Sequence, residues 1–125
     1  METEQLDILV VEDDAAHAEA IRRAFSANGV KVALTLVGTL REFRDRAARN
    51  PPDIAIMDLN LPDGRAVEVM TYPPENGAFP ILLMTSYGNE RVAVETIKSG
   101  AIDYIVKSPE TFASMPRTVE RALRE

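Results

Sequence analysis

Short β-branched apolar runs alternate with stretches whose apolar residues recur at helical spacing, and this alternation restricts the fold more than any other feature of the chain. Leu6 to Val11 is the first run, β-branched at Ile8, Val10 and Val11 and too short for an ordinary helix. Ala15 to Asn28 follows, with Ala18, Ile21 and Phe25 on one helical face and Asn28-Gly29 as a stop signal. Val30 to Val37 predicts a second strand, and Thr39 to Asn50 a second helix, through Leu40, Phe43 and Ala47, ended by Pro51-Pro52. Ile54 to Met57 is a third strand, Pro62-Asp63-Gly64 a turn, and Arg65 to Met70 a short helix stopping before Pro73-Pro74. Ile81 to Met84 is the fourth strand, and Asn89 to Ser99 a helix with Val92, Ile97 and Val94 facing inward and Gly100 as its cap. Tyr104 to Val106 is the fifth strand. Ser108-Pro109-Glu110 and Ser114-Met115-Pro116 then give two helix starts, the second helix running through Val119 and Leu123. Five strands alternating with about five helices imply an α/β domain whose parallel sheet is covered on both faces.

The informative polar residues stand directly after the apolar runs. Glu12, Asp13 and Asp14 follow the first, Asp58 the third, Thr85 and Ser86 the fourth, and Lys107 the fifth. In a parallel sheet these ends share one edge, and open α/β sheets bind ligands there, at the crevice where strand order reverses. Five short strands suit the order 2-1-3-4-5, which brings Glu12 and Asp13 to Asp58. Crowded carboxylates repel, and one takes up a proton unless a cation intervenes. Lys107 supplies one charge; a hard divalent ion supplies the rest, and Mg2+ suits a site of few carboxylates because it keeps its waters. A carboxylate beside such an ion, a hydroxyl and an ammonium is equipped for phosphoryl transfer, ending as an aspartyl phosphate.

Composition removes several classes. The 125 residues fit one domain, and 20 acidic against 14 basic side chains give a net charge of -6, which opposes gripping nucleic acid. The absence of Cys excludes disulfide frameworks, thiolate zinc sites and cysteine nucleophiles, and the lone His17 excludes a multi-histidine metal site. No apolar run approaches the ~20 residues of a bilayer span, and Met1-Glu2-Thr3-Glu4 is unlike a signal peptide. The expectation is a soluble, acidic, intracellular domain.

Val10-Val11-Glu12-Asp13-Asp14, Met57-Asp58-Leu59-Asn60-Leu61-Pro62-Asp63-Gly64, Leu83-Met84-Thr85-Ser86 and Asp103-Tyr104-Ile105-Val106-Lys107 together resemble the receiver domain of bacterial two-component response regulators. The resemblance implies a flavodoxin-like fold over residues 1–125, with a core of about 6–123, and leaves a longer parent chain open. It implies Asp58 as phospho-acceptor, and Asp13, Asp58 and the Asn60 carbonyl as ligands of Mg2+, with Glu12 holding metal-bound water. Thr85, the Ser86 amide and Lys107 would bind phosphoryl oxygens, Tyr104 would turn inward as Thr85 moves, and Asn60 and Tyr87 would tune the lifetime of the phosphate. The implied activity is self-phosphotransfer and slow self-dephosphorylation in a cytoplasmic phosphorelay, not turnover of a substrate. A histidine kinase or phosphotransfer protein would act upstream. An output module or partner would read the fourth helix, fifth strand and fifth helix, around Arg91, Glu95, Lys98 and Tyr104. Direct contact with nucleic acid or membrane is not implied, and homodimerisation is left open.

Simpler readings stand beside these. Asp14 suits a helix cap, Pro62-Asp63-Gly64 is turn chemistry, His17 is exposed or partly packed with nothing to mark it as a phosphate carrier, and Arg117, Arg121 and Arg124 form a solvated stripe. The family usually places Pro directly after the site lysine, whereas here Ser108 intervenes before Pro109; Tyr72 to Gly77 also shortens the third helix. A haloacid-dehalogenase-like phosphatase would use a similar Asp, Mg2+, Thr and Lys, but it needs a second Asp where this chain has Asn60. An unphosphorylated interaction module of the same fold is the other alternative, and neither nucleotide-binding glycine motif occurs.

Overall fold

The computed structural model describes residues 5–28, 31–70, 79–98 and 100–124. Along the chain these form β1 (Leu6–Val11), α1 (Ala15–Asn28), β2 (Val32–Val37), α2 (Leu40–Arg49), β3 (Ile54–Asp58), β4 (Asn60–Leu61), β5 (Gly64–Arg65), α3 (Val67–Met70), β6 (Ile81–Thr85), α4 (Glu90–Lys98), β7 (Asp103–Val106), α5 (Pro109–Ala113) and α6 (Met115–Arg124). Five strands make one parallel sheet in the order β2-β1-β3-β6-β7. This is the expected 2-1-3-4-5 order once the small β4–β5 hairpin is set aside. The expectations on Gly29, Val30, Ser99 and Tyr72 to Gly77 fall outside the described residues.

Strand periodicity divides the core into two layers. Ile8, Val10, Ile54, Ile56, Leu82 and Met84 point to the side covered by α1, α5 and α6, where Ile21, Phe25, Phe112, Met115 and Val119 meet them. Leu9, Val11, Ala55, Met57, Ile81 and Leu83 point to the other side, against Leu40, Phe43, Val69 and Ala93. With both faces covered, the central strands run apolar from Ile8 to Val11, Ile54 to Met57 and Ile81 to Met84, so these runs carry no polar alternation.

Three details depart from the sequence expectations. The ladders run one residue further than expected, so Asp58 and Thr85 end their strands, because Asp58 pairs with Met84 and Thr85 with Val106. Pro62-Asp63-Gly64 is more than a turn: it closes the β4–β5 hairpin, and the Asp63 carboxylate accepts the Leu40 and Arg41 N–H groups at 2.8 and 3.0 Å at the start of α2. Val92 and Val94 are each 44% exposed, not inward. The stripe facing the sheet is Ala93, Thr96 and Ile97, three and four residues apart, which rotates both valines to its flanks.

Local signals explain the ends of α2, α4 and α5. Thr39 caps α2, accepting the Glu42 N–H, while Glu42 Oε1 accepts the Gly38 N–H at 2.9 Å. Gly100 takes φ 138°, a conformation L side chains rarely adopt, and donates to the Ile97 carbonyl. Ser108 and Thr111 form a reciprocal capping box with Pro109 in the first turn of α5. Ser108 between Lys107 and Pro109 is therefore the residue that starts this helix directly after the site lysine.

Candidate functional site

The C-terminal edge of the sheet gathers the residues expected to carry chemistry. Hydrogen bonds continue the ladders beyond the strands: Glu12 N–H to Val37 O at 2.9 Å, Leu59 N–H to Met84 O at 3.0 Å and Lys107 N–H to Thr85 O at 2.8 Å. Period two then sorts the side chains by layer. Glu12 continues the parity of Ile8 and Val10, Asp58 that of Ile54 and Ile56, and Lys107 that of Ile105, all on the α1 and α5 side. Thr85 and Tyr104 share the opposite parity, on the α4 side.

Three of these groups meet. The Lys107 ammonium donates to Asp58 Oδ2 at 2.5 Å and lies 2.7 Å from Glu12 Oε1. The Glu12 side chain is 0% exposed, that of Lys107 10% and that of Asp58 11%. Burial pushes the Glu12 carboxyl above its ordinary range; Lys107 and the Asp14 N–H oppose the rise, and the Asp58 charge adds to it. For Lys107 burial works against the charge, but Asp58 and Glu12 outweigh it and the ammonium is held above its usual range. Glu12 Oε2 accepts the Asp14 N–H at 3.0 Å, whereas the buried Oε1 has the ammonium at ion-pair distance without a well-directed hydrogen bond. Asp14 is the cap of α1: its Oδ1 accepts the His17 and Ala16 N–H groups, and the His17 bond in particular holds its carboxyl below the usual range.

The donor set suits a cation. Glu12, Asp13 and Asp58 each bring a carboxylate oxygen within 4.8 Å of the others. All-oxygen ligands, surplus negative charge and a buried Glu12 oxygen lacking a directed donor fit a hard divalent ion such as Mg2+. Asp13 is the exposed member, on the open side where waters would complete the shell. Asn60 is exposed in the β4–β5 hairpin, its N–H 3.5 Å from Asp58 Oδ1.

The remaining expected residues share the edge without joining the ion cluster. Thr85 is 0% exposed, and its hydroxyl donates to the Ser86 carbonyl at 3.2 Å. Ser86 is exposed and Tyr87 is 90% exposed above the edge. Tyr104 is half-buried and packs on the α4-side core.

One residue was passed over in the sequence. His17 Nδ1 stands 3.4 Å from the Lys107 ammonium, 3.8 Å from Glu12 Oε1 and 3.9 Å from Asp14 Oδ2, with its ring 5.4 Å from that of Phe112. The signal was present: His17, Ile21 and Phe25 recur every four residues, so the helical face that carries the core residues also carries the imidazole to the edge.

Comparison with known proteins agrees with this geometry. Residues 8–116 match the family model of the response regulator receiver domain. The methanogenesis regulatory protein FilR1 of Methanothrix harundinacea is 34% identical over 123 residues, covering 94% of this chain and 27% of that protein. The transcriptional regulatory protein ZraR of Klebsiella oxytoca is 33% identical over 98% of this chain, again 27% of its own length. The chain thus spans about a quarter of these relatives. A response regulator structure from Chloroflexus aurantiacus superposes with a TM-score of 0.83 at 23% identity, covering 98% of this chain and all (100%) of that one. With its fold, its acidic edge and its sequence relatives in agreement, the chain belongs to the receiver domains of two-component response regulators.

Proposed function

We propose that this domain accepts a phosphoryl group on Asp58 and switches conformation in response. The observation that carries the reading is the Lys107 ammonium held between Asp58 and Glu12 beside a cluster of carboxylate oxygens. An Asp58 oxygen attacks the phosphorus, the bond to the donor's leaving atom breaks, and an acyl phosphate forms. Asp13 and Asp58, with the Asn60 carbonyl, would hold Mg2+, and Glu12 would hold it through a water; the ion supplies Lewis-acid neutralisation of the phosphoryl oxygens. Lys107 moves from the Asp58 carboxylate to a phosphoryl oxygen. The Thr85 hydroxyl leaves the Ser86 carbonyl for another, and the Ser86 N–H assists. Tyr104 follows Thr85 within the α4 layer and alters the surface of α4, β7 and α6, and Asn60 and Tyr87 set how long the phosphate survives.

A few charge-assisted hydrogen bonds at about 1.5–3 kcal/mol each supply the roughly 5.5 kcal/mol that inverts a 1:99 equilibrium. The donor is a histidine kinase or phosphotransfer protein, and the listener is an output module or a separate partner in the cytoplasm. The regulatory names of the relatives, each several times longer than this chain, support an output beyond the receiver. A receiver structure described as a beryllofluoride-activated dimer, similar at 25% identity with a TM-score of 0.79, supports a test with that phosphoryl mimic. Among the described residues no helix is long and apolar enough to cross a membrane.

Mass spectrometry after incubation with Mg2+ and acetyl phosphate tests the reading. Stoichiometric labelling that disappears in Asp58→Asn supports it. Repeated turnover of phosphomonoesters would instead indicate a phosphatase, and an unlabelled chain an interaction module.

A further inference from the structure

We propose that His17 is a positioning residue for Lys107, a role that rests on the phospho-acceptor reading of the same site. An ammonium has three donors and no acceptor. Here it donates to Asp58 Oδ2 at 2.5 Å, has Glu12 Oε1 at an ion-pair distance of 2.7 Å, and stands 3.4 Å from His17 Nδ1. The ammonium can only donate, so it is as the Nε2–H tautomer that His17 offers it an acceptor at Nδ1. Nδ1 lies nearer the ammonium than Glu12 Oε1 at 3.8 Å or Asp14 Oδ2 at 3.9 Å.

The imidazole is itself held. Its backbone N–H is fixed by the Asp14 cap at 3.1 Å, and its ring leans on Phe112, which is 6% exposed in α5. Lys107 reaches the edge from the end of β7, immediately before the Ser108 cap that starts α5. His17 thus contacts both the head of the lysine and the helix that follows it. When Asp58 is converted to its phosphate, the lysine loses a carboxylate partner and has to find a phosphoryl oxygen. An acceptor that does not take part in that exchange keeps the ammonium at the acceptor side of the site throughout.

Three variants separate the acceptor from the packing. His17→Leu keeps an apolar side chain against Phe112 and removes the acceptor; His17→Asn restores an acceptor near the place of Nδ1 and removes the ring; His17→Ala removes both. With Mg2+ and acetyl phosphate at pH 8, the labelling rate of Asp58 is expected to fall about three- to tenfold in His17→Leu and His17→Ala and to recover in His17→Asn. Because His17 is the only histidine, its ring nitrogens give single NMR signals in the unlabelled protein. The Nδ1 resonance is expected at the position of an unprotonated acceptor nitrogen and should shift in Lys107→Met.

An Nδ1 signal identical in wild type and Lys107→Met overturns the proposal whether or not the protein is labelled. Wild-type labelling rates in His17→Leu also overturn it, while leaving Asp58 as acceptor. A wild-type protein that takes no label removes the phospho-acceptor reading, and His17 as a positioning residue falls with it.

Discussion

Lys107 and Glu12 meet at 2.7 Å where the carboxylate side chain is 0% exposed and the ammonium side chain 10%, so with Asp58 they form an ion triad largely shielded from water. Lys107→Met leaves two carboxylates facing each other. It should cost about 1–3 kcal/mol at pH 7 without divalent cation, read as a lowered urea midpoint, and Mg2+ should restore part of the loss. The folded lysine pKa is raised above 10.5, so the stabilisation is complete below 10.5 and is lost as pH rises through the higher folded value. Equal midpoints at pH 7 would show the triad to be without net effect.

Glu12 has the opposite consequence. Its folded pKa lies above 4.5 because burial disfavours the charge, so its contribution is favourable below 4.5 and declines as pH rises through the folded value. Without cation, Glu12→Gln should be at least as stable as wild type at pH 7, and its advantage should vanish below pH 4.5. Saturating Mg2+ should reverse the order by stabilising the wild type more than a variant that lacks the Glu12 charge. Thermal melts across pH, with and without Mg2+, decide; a variant less stable than wild type in cation-free buffer contradicts the assignment.

The hairpin that carries Asn60 is tied to α2 through Asp63, whose carboxyl is held below its usual range chiefly by the Leu40 N–H and also by that of Arg41. Asp63→Ala should lower the melting temperature at neutral pH. The gap to wild type should persist above the ordinary value of 3.8 and close as pH falls through the lower folded value. A pH-independent gap would mean that the carboxylate's charge is irrelevant.

Gly64, its neighbour, has φ 154°, and a Cβ there would lie 2.8 Å from Leu40 Cδ1. Gly64→Ala is expected to destabilise by about 1–3 kcal/mol and to weaken Mg2+ binding by disturbing the Asn60 strand. Unchanged denaturation and cation titrations would show that the hairpin absorbs the methyl group.

Two buried threonines should behave differently. Thr96 donates to the Val92 carbonyl one turn back at 2.8 Å, and Thr96→Val should be tolerated within about 1 kcal/mol, with signalling intact. Thr85→Val should also fold, but beryllofluoride should no longer shift the NMR signals of Tyr104 and α4. Undiminished shifts there would detach Tyr104 from the Thr85 hydroxyl.

Much of this arrangement was legible in the sequence because the strands are continuous apolar runs ended by the residues of interest. Glu12, Asp58 and Lys107 could be placed on one edge from the positions of Val11, Met57 and Val106 alone. The two helix starts after Lys107 were equally plain, since Ser108 caps α5 ahead of Pro109 and Pro116 stands in the first turn of α6. What escaped depended on rotation and on distant partners. Val92 and Val94 are apolar like core residues, but Ala93 and Thr96 set the angle of α4. Asp63 looks like any turn aspartate until α2, 22 and 23 residues away in the chain, is brought beside it. His17 was set aside as a single helix residue, whereas its role depends on Lys107, 90 positions later.

The division of the edge by side-chain parity sets where news of a modification has to travel. Glu12, Asp58 and Lys107 belong to one layer of the sandwich, Thr85 and Tyr104 to the other, with the sheet between them. Under the proposed phosphorylation, a group on Asp58 would project past the rim, within reach of both layers. What is written beneath α1 would then be felt beneath α4 by going around the sheet and not through it.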